Sequence, residues 1–434
     1  ILQAIKFYNI NSIASLEVFV AFFNKEFIFF KIIDEDKVYL NSQSIVQKIQ
    51  DNISEKKKIN DLSREFLDNL VSGKKNTKTK FANQISQIRS YLSGTSDYQK
   101  SFISSIKETM SLVSDDEILD WGKKHNFFDQ TFEPFYIKNK INNSFSYDQL
   151  DTRLAIKTDK IISAFTIDDE STYDYDDAIT IQKVGNQHVL YVHITNFSDY
   201  FDYESVYDKE ARDRINTIYA PFCNFDLYSN NIVSQIALRE GETREVISVR
   251  FDISDYNVDR CEITNNFIKI KKNYSYKEFD KLLDTDIDCK FLNIFTENLH
   301  KTRIQKADFE FLNPEISISC DKRNMLFTKT TNTYTSSRIV SELMILANKS
   351  ISKYMLKNSI PSIYRSQGES RNLEIVNMHS NPDFSFYRNV TPVIISTNSQ
   401  PHHGLGVDIY SQCTSPIRRY YDSIIMRQLS RFLK

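Results

Sequence analysis

The chain has 434 residues, and its 55 Lys and Arg against 57 Asp and Glu give a net charge of −2 at pH 7. This balance excludes a uniformly basic nucleic-acid coat protein, because such proteins carry a large positive charge to neutralise phosphates. A hydrophobic fraction of 41% and a charged fraction of 26% exclude a disordered chain and are typical of a globular protein. The length suggests two or three domains.

Membrane and disulfide partners are not expected either. No apolar run approaches the roughly 18 residues of a membrane span. The five cysteines are scattered and odd in number, which argues against a disulfide framework and favours a reducing compartment. We therefore expect the cytoplasm, or the interior of an organelle, as the location.

The first part of the chain changes from a strand pattern to a helical pattern. The first 40 residues are rich in β-branched and aromatic types, whereas apolar residues further on recur every three or four positions. Ser114 and Glu117 have the spacing of a capping box and predict a helix start. We therefore predict a small β-domain over residues 1–50 and a helical, winged-helix-like region over residues 51–145.

The helical region also carries a basic run. Residues 56–89 contain nine Lys and Arg and three Asp and Glu. Such a run is typical of a solvated helical face, and the alternative is a surface that contacts RNA phosphates.

The remainder of the chain alternates strands and helices. Gly185 and Asn186 separate two alternating segments and predict a hairpin. Apolar residues at helical spacing predict a long helix over 336–357, and a further helix is predicted over 416–434. We therefore predict a mixed α/β or α+β domain over residues 146–434, with a mixed sheet and long helices.

The densest chemical signal is an acidic run directly before a predicted strand. It contains six acids within ten residues: Asp168, Asp169, Glu170, Asp174, Asp176 and Asp177. Carboxylates this close repel one another unless a cation neutralises them, and Mg²⁺ prefers such oxygen ligands. Two such ions about 4 Å apart can activate water and stabilise the leaving oxygen of a phosphodiester. The alternative is an acidic surface loop.

The second signal lies near the C-terminus. Ser415 is a good N-cap and Pro416 suits the first position of a helix. Arg418 and Arg419 would then lie in the first turn, where free amides and guanidinium groups form a site shaped for phosphate. The alternative is that an arginine at this helix start pairs with Asp422.

Together the two signals resemble the catalytic domain of the ribonuclease II/ribonuclease R (RNB) exoribonuclease family. The matching runs are TIDDESTYDYDDA at 166–178 and TSPIRRY at 414–420. RIVSELMILAN at 338–348 resembles the central helix of the family, and HGLG at 403–406 resembles the run before the arginines. The sequence at residues 164–169 is similar to that of the cyanobacterial and organellar branch. In this branch a small β-domain and a helical region precede an RNB-type catalytic domain.

The resemblance implies roles for five residues. Asp168, Asp174, Asp176 and Asp177 match the four acids that hold the metal and its attacking water, with Asp176 and Asp177 counted as catalytic. Arg418 matches the arginine that stabilises the transition state. The implied cofactor is Mg²⁺, with Mn²⁺ as the alternative.

The resemblance also implies contacts to single-stranded RNA. Tyr219 is similar to an aromatic residue that stacks on a base, and Tyr276 to a tyrosine near the active site. Phe309 or Phe311 is the expected second stacking ring, and Arg419 is an expected RNA contact.

Some positions depart from the family pattern. Ser341 and Glu342 stand where many members have two glutamates, and Cys413 and Met426 stand where histidines are frequent. The chain ends without room for the C-terminal oligonucleotide-binding barrel of the family, so we expect a catalytic domain cut short at the C-terminus.

The resemblance implies a metal-dependent, hydrolytic 3′-to-5′ exoribonuclease that acts as a monomer and releases nucleoside 5′-monophosphates. The alternative is a catalytically silent RNA-binding or scaffold protein on the same fold. A hydrolase of another phosphodiester is a third hypothesis.

Overall fold

The computed structural model describes residues 30–34, 37–74, 76–129, 132–147, 160–220, 223–308, 316–320, 326–330, 334–370 and 390–434. The chain divides into two compact units, residues 1–140 and 141–434. The division lies close to the predicted boundary at 145/146.

The first unit is helical over most of its described length. Its strands β1 (Phe30–Asp34) and β2 (Lys37–Leu40) form an antiparallel pair. Its helices are α1 (Gln43–Val71), α2 (Ala82–Leu92), α3 (Lys100–Met110), α4 (Asp115–Lys124) and α5 (Pro134–Lys138). Because α1 begins at Gln43, the last residues of the range predicted as a β-domain are helical.

An aromatic cluster forms the core of this unit. The ring of Phe66 contacts those of Phe81 and Phe102 at centroid distances of 5.3 and 6.0 Å, both edge to face. The predicted capping box is confirmed, since the Ser114 hydroxyl accepts from the Glu117 amide and the Glu117 carboxylate accepts from the Ser114 amide.

The second unit contains the other strands and helices. Its strands are β3 (Ile161–Asp168), β4 (Asp177–Val184), β5 (Gln187–Thr195), β6 (Ile218–Tyr219), β7 (Asn224–Phe225), β8 (Thr243–Ser254), β9 (Asn257–Ser275), β10 (Ile316–Cys320), β11 (Leu326–Thr330), β12 (Tyr364–Ser366) and β13 (Ile394–Ser396). Its helices are α6 (Val206–Arg214), α7 (Asn230–Ile236), α8 (Tyr276–Asp280), α9 (Ile287–Ile304), α10 (Thr335–Lys357) and α11 (Tyr420–Leu433).

A closed five-stranded barrel organises this unit. Its strand order is β3-β4-β5-β8-β9, and a parallel pairing of β3 with β9 closes it. The other pairs are antiparallel, so the predicted mixed sheet is confirmed in the form of a barrel. The hairpin at Gly185 and Asn186 is confirmed as well, because Val184 pairs with Gln187 across it. Closure brings Asp168 beside Ser275, the last residue of β9.

Helix α10 packs its apolar face against the barrel and α9. Residues at four-residue spacing along this face are fully buried: Ile339, Leu343, Ala347, Ile351 and Met355. A large apolar side chain buried in this way contributes about 1.5–3 kcal/mol. The helix is therefore a fixed element from which side chains can hold neighbouring loops.

The predicted start of the last helix is wrong. Helix α11 begins at Tyr420, and its N-cap is Arg419 in an extended conformation (φ −136°, ψ 119°). The amides of Ser415 and Ile417 donate instead to the carboxylates of Asp422 and Asp176. These tertiary bonds outweigh the local preference of a Ser-Pro sequence for a helix start.

No helix among the described residues is long and apolar enough to cross a membrane.

Candidate active site

The acidic run is the connection between strands β3 and β4. These strands pair antiparallel at Phe165 and Ile179. Asp168 ends β3, Asp177 begins β4, and the chain between them leaves the barrel. The barrel therefore holds the two outer aspartates on neighbouring strands, whereas the others lie on the loop.

The Asp168 carboxyl group lies where the protein compensates a negative charge poorly. Its Oδ2 atom is buried and has no hydrogen-bond partner. Burial, followed by the neighbouring charge of Asp177, raises the pKa of Asp168 to about 8, although a hydrogen bond with Thr166 and the charge of Arg418 oppose the rise. A buried carboxylate oxygen without a donor is destabilised unless a proton or a cation binds it.

Among the acidic neighbours of Asp168, Asp177 has a larger effect on its pKa than Asp174. Burial raises the pKa of Asp177 to about 6, and the charges of Arg418 and Arg419 oppose the shift. Both carboxylates therefore lack sufficient positive charge around them.

Asp176 joins the acidic run to the arginine loop, which we define as residues 413–419. Its side chain is 4% exposed, and Oδ1 accepts a hydrogen bond of 2.7 Å from the amide of Ile417. Oδ2 lies 3.5 Å from Nε of Arg418. Burial raises the pKa of Asp176 well above its usual value, and Arg418 and the Ile417 amide oppose this rise. The two predicted motifs thus meet at this residue.

The side chains of Ser415 and Asp176 anchor Arg418. Its Nη2 donates to the hydroxyl of Ser415 at 3.1 Å, and its Nε faces Asp176. The side chain nevertheless remains 45% exposed. Arg418 is thus anchored beside the aspartates while part of its side chain stays accessible to a ligand.

Arg419 has a different environment. Its Nε and Nη2 donate to Oδ2 of Asp422 at 3.0 and 2.6 Å, and Asp422 is 1% exposed. The pairing with Asp422 that the sequence left as an alternative therefore occurs at Arg419. An RNA contact by Arg419 stays a prediction.

Tyr219 lies at the edge of the acidic cluster. Its hydroxyl donates to Oδ2 of Asp174 at 3.1 Å, while the residue is 55% exposed. Burial raises the pKa of Asp174, and the bond from Tyr219 lowers it. The backbone before Tyr219 lies against the arginine loop, since the Thr217 amide donates to the Arg418 carbonyl at 2.9 Å. The resemblance implied a base-stacking ring here, with a buried core tyrosine as the alternative, but not the bond to Asp174.

Two further predicted RNA contacts can be placed. Tyr276 follows Ser275, the residue paired with Asp168, and its ring lies 6.2 Å from that of Tyr334 at an angle of 21°. Phe309 and Phe311 lie outside the described residues.

The Ser341-Glu342 departure can also be located on α10. Ser341 is exposed, whereas Glu342 is 3% exposed. The Glu342 carboxylate accepts from Nη2 of Arg303 at 2.6 Å and contacts Nδ1 of His300 at 2.8 Å. Glu342 therefore forms a buried ionic contact between α10 and α9.

A divalent cation fits the donor chemistry of the acidic cluster. The candidate ligands are carboxylates, which hard cations such as Mg²⁺ prefer, and Oδ2 of Asp168 lacks any other partner. Within the described ranges, no three His, Cys, Asp or Glu side chains converge closely enough to form a complete metal site by themselves. Mg²⁺ commonly uses only one or two protein carboxylates and completes its shell with water and phosphate.

Sequence comparisons place most of the second unit in a known family. The profile described as the RNB domain matches residues 158–434. An uncharacterized ribonuclease from Synechocystis is 24% identical over 287 residues, which cover 63% of this chain and 43% of that protein. A chloroplastic/mitochondrial ribonuclease II from Arabidopsis thaliana is 23% identical over 301 residues, covering 63% of this chain and 36% of that protein. The chain thus spans less than half the length of these relatives.

Solved structures share the fold. An active-site mutant of the Dss1 exoribonuclease from Candida glabrata superposes with a TM-score of 0.69 at 19% identity, covering 91% of this chain and 61% of that one. Ribonuclease R of Mycoplasma genitalium, bound to ribose-methylated single-stranded RNA, gives 0.59 at 19% identity, with 69% and 56% covered. Yeast Ssd1, described as a pseudonuclease, gives 0.53 at 14% identity, with 66% and 42% covered.

The predicted resemblance is therefore confirmed, including the cyanobacterial and organellar relatives. With a family profile that matches well over half of its length, the chain belongs to the RNB domain family.

Proposed function

We propose that this chain is a metal-dependent 3′-to-5′ exoribonuclease that hydrolyses single-stranded RNA to nucleoside 5′-monophosphates. The observation that carries the proposal is the contact of Asp176 with the Ile417 amide and Arg418, which joins an acidic cluster to a partly accessible arginine side chain. The direction of degradation and the product are inferred from the family.

The proposed cation is Mg²⁺, with Mn²⁺ as the alternative, and Asp168 and Asp177 are its best-placed ligands. Their raised pKa values and the unpaired oxygen of Asp168 support a shared positive ligand. When bound, such a cation lowers the pKa of water and stabilises charge on phosphate oxygens.

The remaining residues orient the substrate and balance its charge. Water oxygen forms a bond to phosphorus, and the bond from phosphorus to the 3′ oxygen of the preceding nucleotide breaks, leaving a shortened chain with a 3′ hydroxyl. Negative charge grows on the non-bridging oxygens during this step, and Arg418 can stabilise it through the accessible part of its side chain. Asp176 holds that guanidinium in place.

RNA is the proposed partner, and the protein is proposed to act as a monomer in the cytoplasm or an organelle. The exposed ring of Tyr219 can stack on a base without reading its identity. The exposed lysines of α1, Lys56, Lys57 and Lys58, are a candidate surface for the RNA backbone.

A second candidate function is a catalytically silent RNA-binding protein. Two observations favour it: the shared fold with a pseudonuclease, and the absence of a fully converged ligand set among the residues described. An RNA cleavage assay with and without Mg²⁺ separates the two functions.

The test uses a single-stranded RNA labelled at its 5′ end, with Mg²⁺ or with EDTA. The exonuclease gives a ladder that shortens from the 3′ end only with Mg²⁺, together with nucleoside 5′-monophosphates. Tight binding without products supports the silent protein. DNA and cyclic-nucleotide substrates reveal a different phosphodiesterase.

Matched variants link the activity to the site. Asp168→Asn should abolish the ladder, whereas Asp169→Asn should leave it intact. Asp169 is the exposed neighbour in the same acidic run, and its Oδ1 accepts from the amide and the hydroxyl of Ser171. Equal activity of the two variants would contradict the assignment of Asp168.

A further inference from the structure

We propose that Asn348 is a positioning residue that fixes the arginine loop from inside α10, so that Arg418 is aligned for catalysis. This inference rests on the proposed function for its catalytic consequence. Its structural part, the anchoring of the loop, can be tested without measuring enzymatic activity.

Asn348 is a buried polar residue next to the apolar face of α10. It is 1% exposed and follows the fully buried Ala347. A buried amide is stable only when its donors and acceptors are paired, so its partners must be precisely placed.

Tyr410, Cys413 and Thr414 are hydrogen-bond partners of the Asn348 side chain, and they lie just before or within the arginine loop. Its Oδ1 accepts from the amide and the thiol of Cys413, at 2.9 and 3.1 Å. Its Nδ2 donates to the hydroxyl of Tyr410 at 3.1 Å and approaches that of Thr414 at 3.3 Å. One side chain thus fixes both the backbone and the side chains where the loop begins.

The loop is short and tightly held between Asn348 and Arg418. After Cys413 and Thr414, the Ser415 amide donates to buried Asp422 at 2.9 Å, and the Ile417 amide donates to Asp176. A displacement at Cys413 therefore passes through these bonds to Arg418. Displacements of about 1 Å in a catalytic group can reduce turnover by about a hundredfold.

The amide of Asn348 satisfies this set of partners with both its acceptor and its donors. Asparagine presents an acceptor to Cys413 and donors to Tyr410 and Thr414 in one rigid group. Aspartate keeps the acceptor but loses the donors, and leucine keeps the approximate volume but loses all four contacts. The two substitutions therefore remove the anchoring stepwise.

The test compares Asn348→Asp and Asn348→Leu with Met355→Ala in the full chain. Met355 is equally buried on the same helix two turns further on, so its truncation controls for a loss of packing. Tyr410→Phe removes the hydroxyl that accepts from Nδ2 of Asn348 and leaves Asn348 itself unchanged. This variant replaces the Asn348 variants in the test if they do not fold.

The first measurement is hydrogen exchange of the peptide covering residues 413–419, without RNA. We expect faster exchange in the Asn348 variants, a smaller increase in Tyr410→Phe, and no change in Met355→Ala. Unchanged exchange in the folded Asn348 variants, or in Tyr410→Phe where they do not fold, would overturn the inference.

The second measurement is turnover and RNA affinity at a temperature where every variant is folded. We expect kcat to fall at least about tenfold in the Asn348 variants, with Kd for RNA within about twofold of the wild type. Met355→Ala should keep the wild-type kcat. Faster exchange with unchanged kcat would overturn the inference that this anchoring aligns Arg418 for catalysis. A wild-type protein that does not cleave RNA would overturn the proposed function, and the exchange data would still support the anchoring of the loop.

Discussion

The amide of Ile417 donates a 2.7 Å hydrogen bond to the buried carboxylate of Asp176, across 241 positions of sequence. This bond joins the acidic connection of the barrel to the arginine loop. It also separates the aspartates by environment, because Asp176 has protein donors whereas Oδ2 of Asp168 has none. The acids of one motif therefore differ in what they can still bind.

Replacing Asp176 by asparagine should abolish turnover and preserve RNA binding. The amide oxygen of asparagine can still accept from Ile417, but the negative charge beside Arg418 is lost. The expected result is an uncleaved RNA that binds with nearly wild-type affinity, measured by gel shift and by product formation with Mg²⁺.

Asp176→Ala is the matched comparison, because it also removes the acceptor of the Ile417 amide. Leaving that buried donor unpaired should lower the free energy of unfolding by about 1–3 kcal/mol relative to Asp176→Asn. Native turnover in Asp176→Asn would show that the residue is not required for catalysis.

Arg418 and Arg419 should respond differently to mutation although they are adjacent. Arg418→Lys keeps the charge but lacks the planar guanidinium group that contacts both Ser415 and Asp176. We therefore expect kcat to fall by a factor of about 10²–10³, with little change in the free energy of unfolding. Stopped assays with saturating RNA and thermal unfolding measure the two effects.

Arg419→Ala should instead act mainly on stability. It leaves the buried carboxylate of Asp422 without its ionic partner, which costs roughly 3–5 kcal/mol. If Arg419→Ala is as stable as the wild type but binds RNA poorly, the native Arg419 side chain contacts RNA. Its pairing with Asp422 would then be dispensable for stability.

The two motifs could be recognised from the sequence because each has a dense local pattern. Their contact could be expected only through the family resemblance, since local patterns carry no information about pairing across the barrel. The start of α11 was predicted wrongly because the amide of Ser415 donates to Asp422, inside the helix, and that of Ile417 donates to Asp176, 241 residues away. These bonds outweigh the local capping preference. Asn348 did leave a signal, as a polar residue next to the apolar face of a predicted helix.

Tyr219 allows the hydroxyl and the ring to be tested separately. Tyr219→Phe keeps the stacking ring and loses the bond to Asp174, so RNA affinity should be retained while turnover falls. Tyr219→Ala should also lose about 1–3 kcal/mol of RNA binding, measured by fluorescence anisotropy. Equal affinities of the two variants would show that the ring does not contact RNA.

Mg²⁺ should stabilise the protein in the absence of RNA. A cation beside Asp168 relieves the cost of its buried, unpaired oxygen, and a ligand at a hundred times its Kd adds about 2.7 kcal/mol to the free energy of unfolding. Thermal unfolding with Mg²⁺ or EDTA measures this gain. Asp168→Asn should lose it and Asp169→Asn should keep it; a gain that persists in Asp168→Asn would place the cation elsewhere.

His193 should make the protein sensitive to mild acid. It is fully buried between Thr180 and Ser248, with Nε2 at 3.0 Å from Thr180 Oγ1 and Nδ1 at 2.7 Å from Ser248 Oγ. The Thr180 hydroxyl already donates to the Ser163 carbonyl, so Nε2 carries the proton and Nδ1 accepts from Ser248. Burial lowers the pKa of His193 to about 3.

In the unfolded chain the His193 ring binds a proton near pH 6.5, whereas in the folded protein it stays neutral at that pH. The contribution of the buried neutral ring to the free energy of unfolding is therefore complete above pH 6.5. It is lost as the pH falls from there towards 3, by about 2 kcal/mol at pH 5. His193→Gln keeps polar atoms on the side chain but cannot titrate. The difference in unfolding free energy between wild type and His193→Gln should therefore shift in favour of the variant by about that amount between pH 7.5 and pH 5. Parallel pH profiles for the two proteins would show that His193 is not buried as a neutral ring.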